Sequence, residues 1–310
     1  MDRFESMRVF AAVASARSFA QAARALGLSA PAVSRAVVAL ETHLGAQLLR
    51  RTTRSVTLTE AGVRYHADCT RILADVGTAE ADATGAHARP QGELTVTAPR
   101  MFGRMHVAPL LVAFLARHPS ITVRAFFADH IVHLLDDGYD VALRIARLPD
   151  SGLTAIRVGH VRRVVVATPE YLRAQGVPRT PADLERHATI GYAAGAAPLP
   201  AWEFRSGGKK LTVTPRSRFV TNSNETALAA ALAGHGLARA LSYQVADEVA
   251  AGRLRVVLAR HELPPIPVQL VHAGGRTPPA KVRAFVELAA AELRRIPVLR
   301  GKLPAPKPRR

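Results

Sequence analysis

The sequence predicts an α/β chain built in successive parts, and three observations predict it. Residues 18–41 read as two short helices around a tight turn, residues 60–89 run without proline as one long helix, and from residue 93 onward strands and helices alternate. At 310 residues the chain is long enough for two or three domains with cores of their own.

The first short helix opens at Ser18, three residues before Gln21, the spacing at which a hydroxyl and an amide satisfy each other's backbone donors. Phe19, Ala22, Ala23 and Leu26 then form one apolar stripe, and Gly27 supplies the left-handed stop. Ser29 is placed to cap the second helix, with Pro31 in its first turn, where a missing N–H costs little. Val33, Val37, Leu40 and Leu44 are expected to face inward. Pro31, Ser34, Arg35, Val38 and Thr42 lie opposite, a face of small, hydroxylated and basic groups that can approach phosphates and base edges. Downstream, Arg50, Arg51 and Arg54 surround a threonine-rich stretch ending in Val56, Thr57 and Leu58, read as a β-branched hairpin with guanidiniums at its tip.

Over residues 26–62, LGLSAPAVSRAVVALETHLGAQLLRRTTRSVTLTEAG, the chain resembles the LysR-type transcriptional regulators. The resemblance implies a winged helix-turn-helix over residues 1–59 that binds a double-stranded DNA operator. Ser29, Pro31, Ser34 and Arg35 are the candidates on the recognition helix, and Arg51 and Arg54 those on the wing. Ala30 departs from the pattern, because many members carry there a Gln that reaches DNA.

The formal net charge of +18 is concentrated at the ends. Residues 1–59 hold eight Arg against three acids, residues 60–293 hold 27 basic against 21 acidic, and residues 294–310 hold seven basic and no acidic residues. That distribution favours nucleic acid, although only five of the 42 basic residues are Lys, a bias that coding composition also produces.

From Thr59, a plausible N-cap, the helix expected over residues 60–89 is about 40 Å long at 1.5 Å per residue. Tyr65, Cys69, Ile72, Val76, Ala79 and Ala83 follow heptad spacing. Two readings stand: an amphipathic helix lying on its own domain, or a linker that pairs with a second copy. The resemblance implies the second, with Tyr65, Cys69, Ile72 and Val76 at a dimerisation seam, Cys69 as a small packing residue, and a homodimer or homotetramer as the assembly.

Residues 89–92, Arg-Pro-Gln-Gly, read as a hinge. ELTVTAP, ITVRAFFA and YDVALRI are expected strands, FGRMHVAPLLVAFLARHP a helix interrupted near its start by Pro109, and IVHLLDDG a short helix. RRVVVATP, ATIGY, a hairpin around residues 206–209, ETALAAALAGHG and LSYQVADEVAAGRLRVVL make a second cluster. IPVQLVHA and PAKVRAFVELAAAELRRI suit a strand and helix returning to the first.

The order of these segments over residues 93–296 resembles the LysR-type effector domain, and implies a two-lobed, periplasmic-binding-protein-like clamp spanning residues 90–296. Lobe I would comprise residues 93–161 and 268–296, lobe II residues 162–267, and residues 297–310 a basic, Pro-rich tail. Ligands of such folds sit beyond the carboxyl ends of the strands. Arg100, Met101 and Phe102, Arg144 with Arg147, and the patch from Thr221 and Asn222 to Thr226 are the candidate effector contacts, suited to a small anionic molecule.

The single Cys69 excludes an intrachain disulfide, and MDRFESMRVF lacks the features of a signal peptide. No run of eighteen apolar residues suggests a membrane span, so a cytoplasmic protein without membrane partners is expected. No HExxH, CxxC or phosphate-binding glycine loop is present, and the twelve His lack metal-ligand spacing. No catalytic residue, metal or cofactor is therefore assigned. The reading is a DNA-binding regulator controlled by an effector, with RNA polymerase a further candidate partner. The alternative is a small-molecule-binding protein or enzyme on the same clamp, with DNA binding secondary.

Overall fold

The computed structural model describes residues 2–51, 56–83, 89–130, 134, 137–149, 152–193, 199–273 and 278–304. The chain divides into two compact units, Met1–Arg89 and Pro90–Arg310.

The first unit is α1 (Arg3–Ala16), α2 (Phe19–Leu26), α3 (Ala30–Leu44), an antiparallel pair β1 (Leu49–Arg51) and β2 (Val56–Leu58), and α4 (Glu60–Ala83). The predicted caps are in place. Ser18 accepts from the Gln21 N–H and Ser29 from the Ala32 N–H, while Gly27 and Gly45 end their helices at φ 65° and 63°. Val9, Phe10 and Val13 of α1 meet Ala22, Ala23, Val33, Val37 and Leu40 in one core. Burying a side chain the size of Phe10 stabilises such a domain by about 1.5–3 kcal/mol. Leu44, expected in that core, is 39% exposed, because the chain has reached the end of α3 and turns away at Gly45.

The second unit has two five-stranded sheets. Its first lobe contains β3 (Gly92–Ala98), α5 (Arg100–Phe102), a π turn (Gly103–Val107), α6 (Ala108–Arg117), β4 (Ile121–Phe127), β5 (Val141–Ile145) and β6 (Thr154–Val161). The second lobe runs through β7 (Arg163–Ala167), α7 (Pro169–Gln175), β8 (Thr189–Tyr192), β9 (Trp202–Ser206), β10 (Lys209–Val213), β11 (Ser217–Thr221), α8 (Asn224–Leu232), β12 (Leu237–Leu241), α9 (Ser242–Ala250) and β13 (Arg255–Val257). The chain then returns through β14 (Ile266–His272) and α10 (Ala280–Arg295). Strand order is β4-β3-β5-β14-β6 in one sheet and β11-β8-β12-β7-β13 in the other. The two passages between lobes are therefore β6 to β7 and β13 to β14.

Pro109 does not interrupt its helix. The Ala108 N–H reaches the Gly103 carbonyl five residues back, and this wide turn ends where Pro109 enters the first turn of α6, so its missing N–H leaves no α-type bond unmade. β9 and β10 form the expected hairpin, pairing Ser206 with Lys209 and burying Trp202 and Phe204. Most of the expected IVHLLDDG helix lies outside the described residues.

Residues 297–299 correct the expected tail. They form a 3-10 turn with Val298 and Leu299 buried in the core of the effector-like unit. Gly159 of β6 makes room for it, since a Cβ there would lie 2.5 Å from the Leu299 carbonyl oxygen.

Candidate nucleic-acid interface and interlobe cleft

The axes of α2 and α3 turn through 106° at the short break between them, the crossing of a helix-turn-helix. Val33, Val37 and Leu40 anchor α3 from below, leaving Pro31, Arg35, Val38 and Thr42 exposed. Ser34 is half-buried at the edge of that face and engaged in an interaction of its own, and Ser29 is occupied as the cap. The exposed face thus offers one guanidinium, one hydroxyl and two apolar groups.

Glu41 holds the wing beside α3, a role the sequence reading missed. Its Oε1 accepts the N–H groups of Leu48 and Leu49 at 2.8 and 3.0 Å, so a helical carboxylate fixes where β1 begins. Thr59 completes the clasp by donating to the Gln47 carbonyl at 2.7 Å and accepting from the Gly62 N–H at 2.9 Å. Between α3 and β1 this leaves an open groove of about 770 Å³, bordered by Val38, Thr42, Gln47 and Arg50. Arg50 is exposed and lies opposite Thr57 in the ladder. The backbone of Arg51 belongs to β1, whereas its side chain and the whole of Arg54 lie outside the described residues.

The dimerisation seam is corrected at Cys69. Cys69 is fully buried in the first unit's own core, and the Tyr65 ring packs 5.7 Å from that of Phe10. Ile72 packs against the same cluster but, like Tyr65, stays half-buried, so of the predicted set Cys69 alone is wholly taken up by its own domain, while Tyr65, Ile72 and Val76 keep surface that a second helix can meet. Burial pushes the Cys69 thiol up to about 11, which keeps it protonated and unreactive near neutrality.

Between the two lobes, Arg100 stands at the start of α5 with its side chain exposed. Its backbone N–H donates to Asp129 Oδ1 at 3.0 Å, so the helix-end donor expected to be free for an anion already has a carboxylate. Met101 and Phe102 are also corrected. Both are buried in the core, where the Phe102 ring packs 5.0 Å from that of Tyr243, and neither is available to a cleft ligand. Arg144 lies within β5, where burial lowers its pKa and the charge of Asp137 opposes that shift.

Across the cleft, Thr221 pairs in register with Tyr192, and its Oγ1 accepts from the Ser223 N–H at 3.1 Å. Ser223 caps α8 through the Thr226 N–H, and Asn222 is exposed beside it. The Tyr192 hydroxyl, missed in the sequence, has its pKa raised by burial and by Asp129, with Arg100 acting in the opposite sense. Those couplings put Tyr192 and Thr221 of one lobe with Arg100 and Asp129 of the other. Arg104 and Glu225 join the lobes further by an exposed ion pair at 2.9 Å, worth at most about 1 kcal/mol. Among the described residues, no group of His, Cys, Asp and Glu is arranged to hold a metal ion.

Residues 4–63 match the family model for the bacterial regulatory helix-turn-helix protein, lysR family, and residues 87–294 match the LysR substrate binding domain. A transcriptional repressor of Pseudomonas aeruginosa is 35% identical, with 92% of this chain and 90% of the relative aligned. The transcriptional activator AaeR of Escherichia coli is 33% identical over 92% of each. Among solved structures, CrgA, a LysR-type transcriptional regulator from Neisseria meningitidis, is 32% identical with a TM-score of 0.59, covering 93% of this chain and 98% of that one.

Proposed function

The chain belongs to the LysR family of DNA-binding transcriptional regulators, and from that premise we propose that α3 reads the operator while the wing grips adjacent phosphates. Members are regulators, not enzymes; they bind DNA and small-molecule effectors and form oligomers. The observation that carries the assignment is the two-sided character of α3, with Val33, Val37 and Leu40 sealed beneath and Pro31, Arg35, Val38 and Thr42 open above. In this reading residues 1–59 form the DNA-binding head, residues 60–89 the linker, and the remainder through residue 303 the effector domain. The cytoplasm is the expected location, since operator DNA is there; no single helix among the described residues is long and apolar enough to cross a membrane.

Once genome-wide mapping has supplied an operator, Arg35→Ala is expected to cost about 1–3 kcal/mol on that site and much less on random DNA, as a bidentate base contact would. Equal losses on both would make Arg35 a phosphate contact. Arg51→Ala and Arg54→Ala should each reduce the salt slope by about one unit, and unchanged slopes reject the wing assignment. Sedimentation of the same unmodified protein reads its assembly, with a monomer overturning the proposed homodimer or homotetramer. The lobes offer surfaces for that assembly, because edge strands β4 and β11 expose Phe126, Phe219 and Val220.

The effector is proposed to lie between the lobes, with an acidic group on the Arg100 side chain and polar contacts to Tyr192 and Thr221. Control then requires only that it bind two arrangements of the assembly unequally. In a thermal-shift screen of small organic acids, at least one is expected to stabilise the native protein and to lose that effect in Arg100→Ala. A screen without a stabilising acid, or shifts unaltered by the substitution, would reject this placement.

A further inference from the structure

A second cavity, of about 460 Å³, lies away from the interlobe cleft, and its size falls in the range of about 300–1,000 Å³ typical of small-molecule sites. None of Arg100, Tyr192 or Thr221 lines it. Its apolar walls come from Val249, Leu254, Val256 and Leu303, so the end of α9, strand β13 and the C-terminal segment meet there.

Two guanidiniums border these walls, and they differ in what they have left to bind. Arg162, between β6 and β7, is gripped by Glu262 in two bonds of 2.7 Å, with both side chains largely buried. Arg255 is exposed and has no ion pair among the described residues. Among the described residues, no acidic one lines the cavity.

We propose that this cavity is a second ligand site, taking a small monocarboxylate with an apolar body. The carboxylate meets Arg255 at the rim, and the hydrocarbon replaces water along Val249, Leu254 and Leu303. Residues 305–310, Ala-Pro-Lys-Pro-Arg-Arg, bring three cationic side chains and no acidic one, a poor match for a cationic rim.

The site touches the connection between the lobes on two sides. Arg162 belongs to one passage between them, and Leu303 follows the segment whose Leu299 carbonyl lies against Gly159 of β6. A ligand here therefore contacts the hinge directly and acts on the lobe angle independently of the cleft.

Calorimetric titration of the full chain with sodium octanoate tests this, with octylamine as the matched cation. Octanoate is expected to saturate one site per chain, about tenfold or more tighter than octylamine, a difference of about 1.4 kcal/mol. Ala259→Trp, which fills the cavity from its lining, should remove about nine-tenths of the affinity or more. Arg255→Glu alters only an exposed side chain and should do the same without disturbing the fold. Arg100→Ala should leave the titration unchanged. The proposal is overturned by an absence of saturable heat, by equal binding of octylamine, by binding that survives Arg255→Glu, or by binding lost in Arg100→Ala.

Discussion

Gly62→Ala is expected to destabilise the first unit by about 3 kcal/mol or more and to abolish operator binding near physiological temperature. An added Cβ would lie 1.9 Å from the Leu48 carbonyl oxygen and 3.1 Å from Leu58 Cδ2. The backbone neighbour cannot yield cheaply. The Leu48 carbonyl already accepts the Thr59 N–H at 2.9 Å, and Leu48 itself is held by Glu41. Relief of the clash must move α4 away from β1 or pull β1 from α3, and either shift misplaces the wing. Gly77→Ala supplies the contrast on the same helix: it meets nothing within 4 Å, and exchanging an open helical glycine for alanine should stabilise by about 1 kcal/mol. Thermal unfolding followed by circular dichroism, with operator binding measured in parallel, checks both. If Gly62→Ala melts and binds like the native protein, the close approach has been misjudged.

What could be read in advance divides by distance along the chain. Helices α2 and α3 were legible because Ser18, Gly27 and Ser29 act on backbone groups within three or four residues, and the apolar stripe of α3 repeats at helical spacing. Strand β6 was not anticipated: Gly159 looks like a weak point until the Leu299 carbonyl, 140 residues later, is seen to require it. The burial of Cys69 on the α4 seam was hidden for a related reason. Heptad spacing shows that Tyr65, Cys69 and Ile72 share a face but is silent on whether that face meets Phe10 of the same chain or a second helix. In the cleft, Arg100 was found from its place at a strand-to-helix junction. Asp129 and Tyr192 depend on loops and strands brought together by the fold, and Phe102 is withdrawn from the site by Tyr243, 141 residues away.

Glu262→Ala is expected to loosen the effector domain at its hinge, at a cost of about 2–4 kcal/mol. Glu262 lies just before the chain returns to the first lobe through β14, and Arg162 lies where it leaves through β6, so their two bonds of 2.7 Å tie the outgoing and returning passages together. Arg162 is fixed further through its backbone. Its N–H donates to Ser242 Oγ at 3.0 Å and its carbonyl accepts the Ser242 N–H at 2.8 Å, so the guanidinium cannot swing out freely once its partner is gone. With the Arg162 and Glu262 side chains only 26% and 12% exposed, deletion of the carboxylate leaves a poorly hydrated cation, which is worse than never having had the pair. For a domain of this size the cost corresponds to a fall of about 5–10 °C in its melting temperature. Scanning calorimetry should show that loss in the effector-domain transition while the transition of the DNA-binding head stays in place. Glu262→Gln, which keeps the shape and one acceptor oxygen, should lose less. Equal melting in Glu262→Ala and the native protein would mean that the crossover strands are held by their sheets alone.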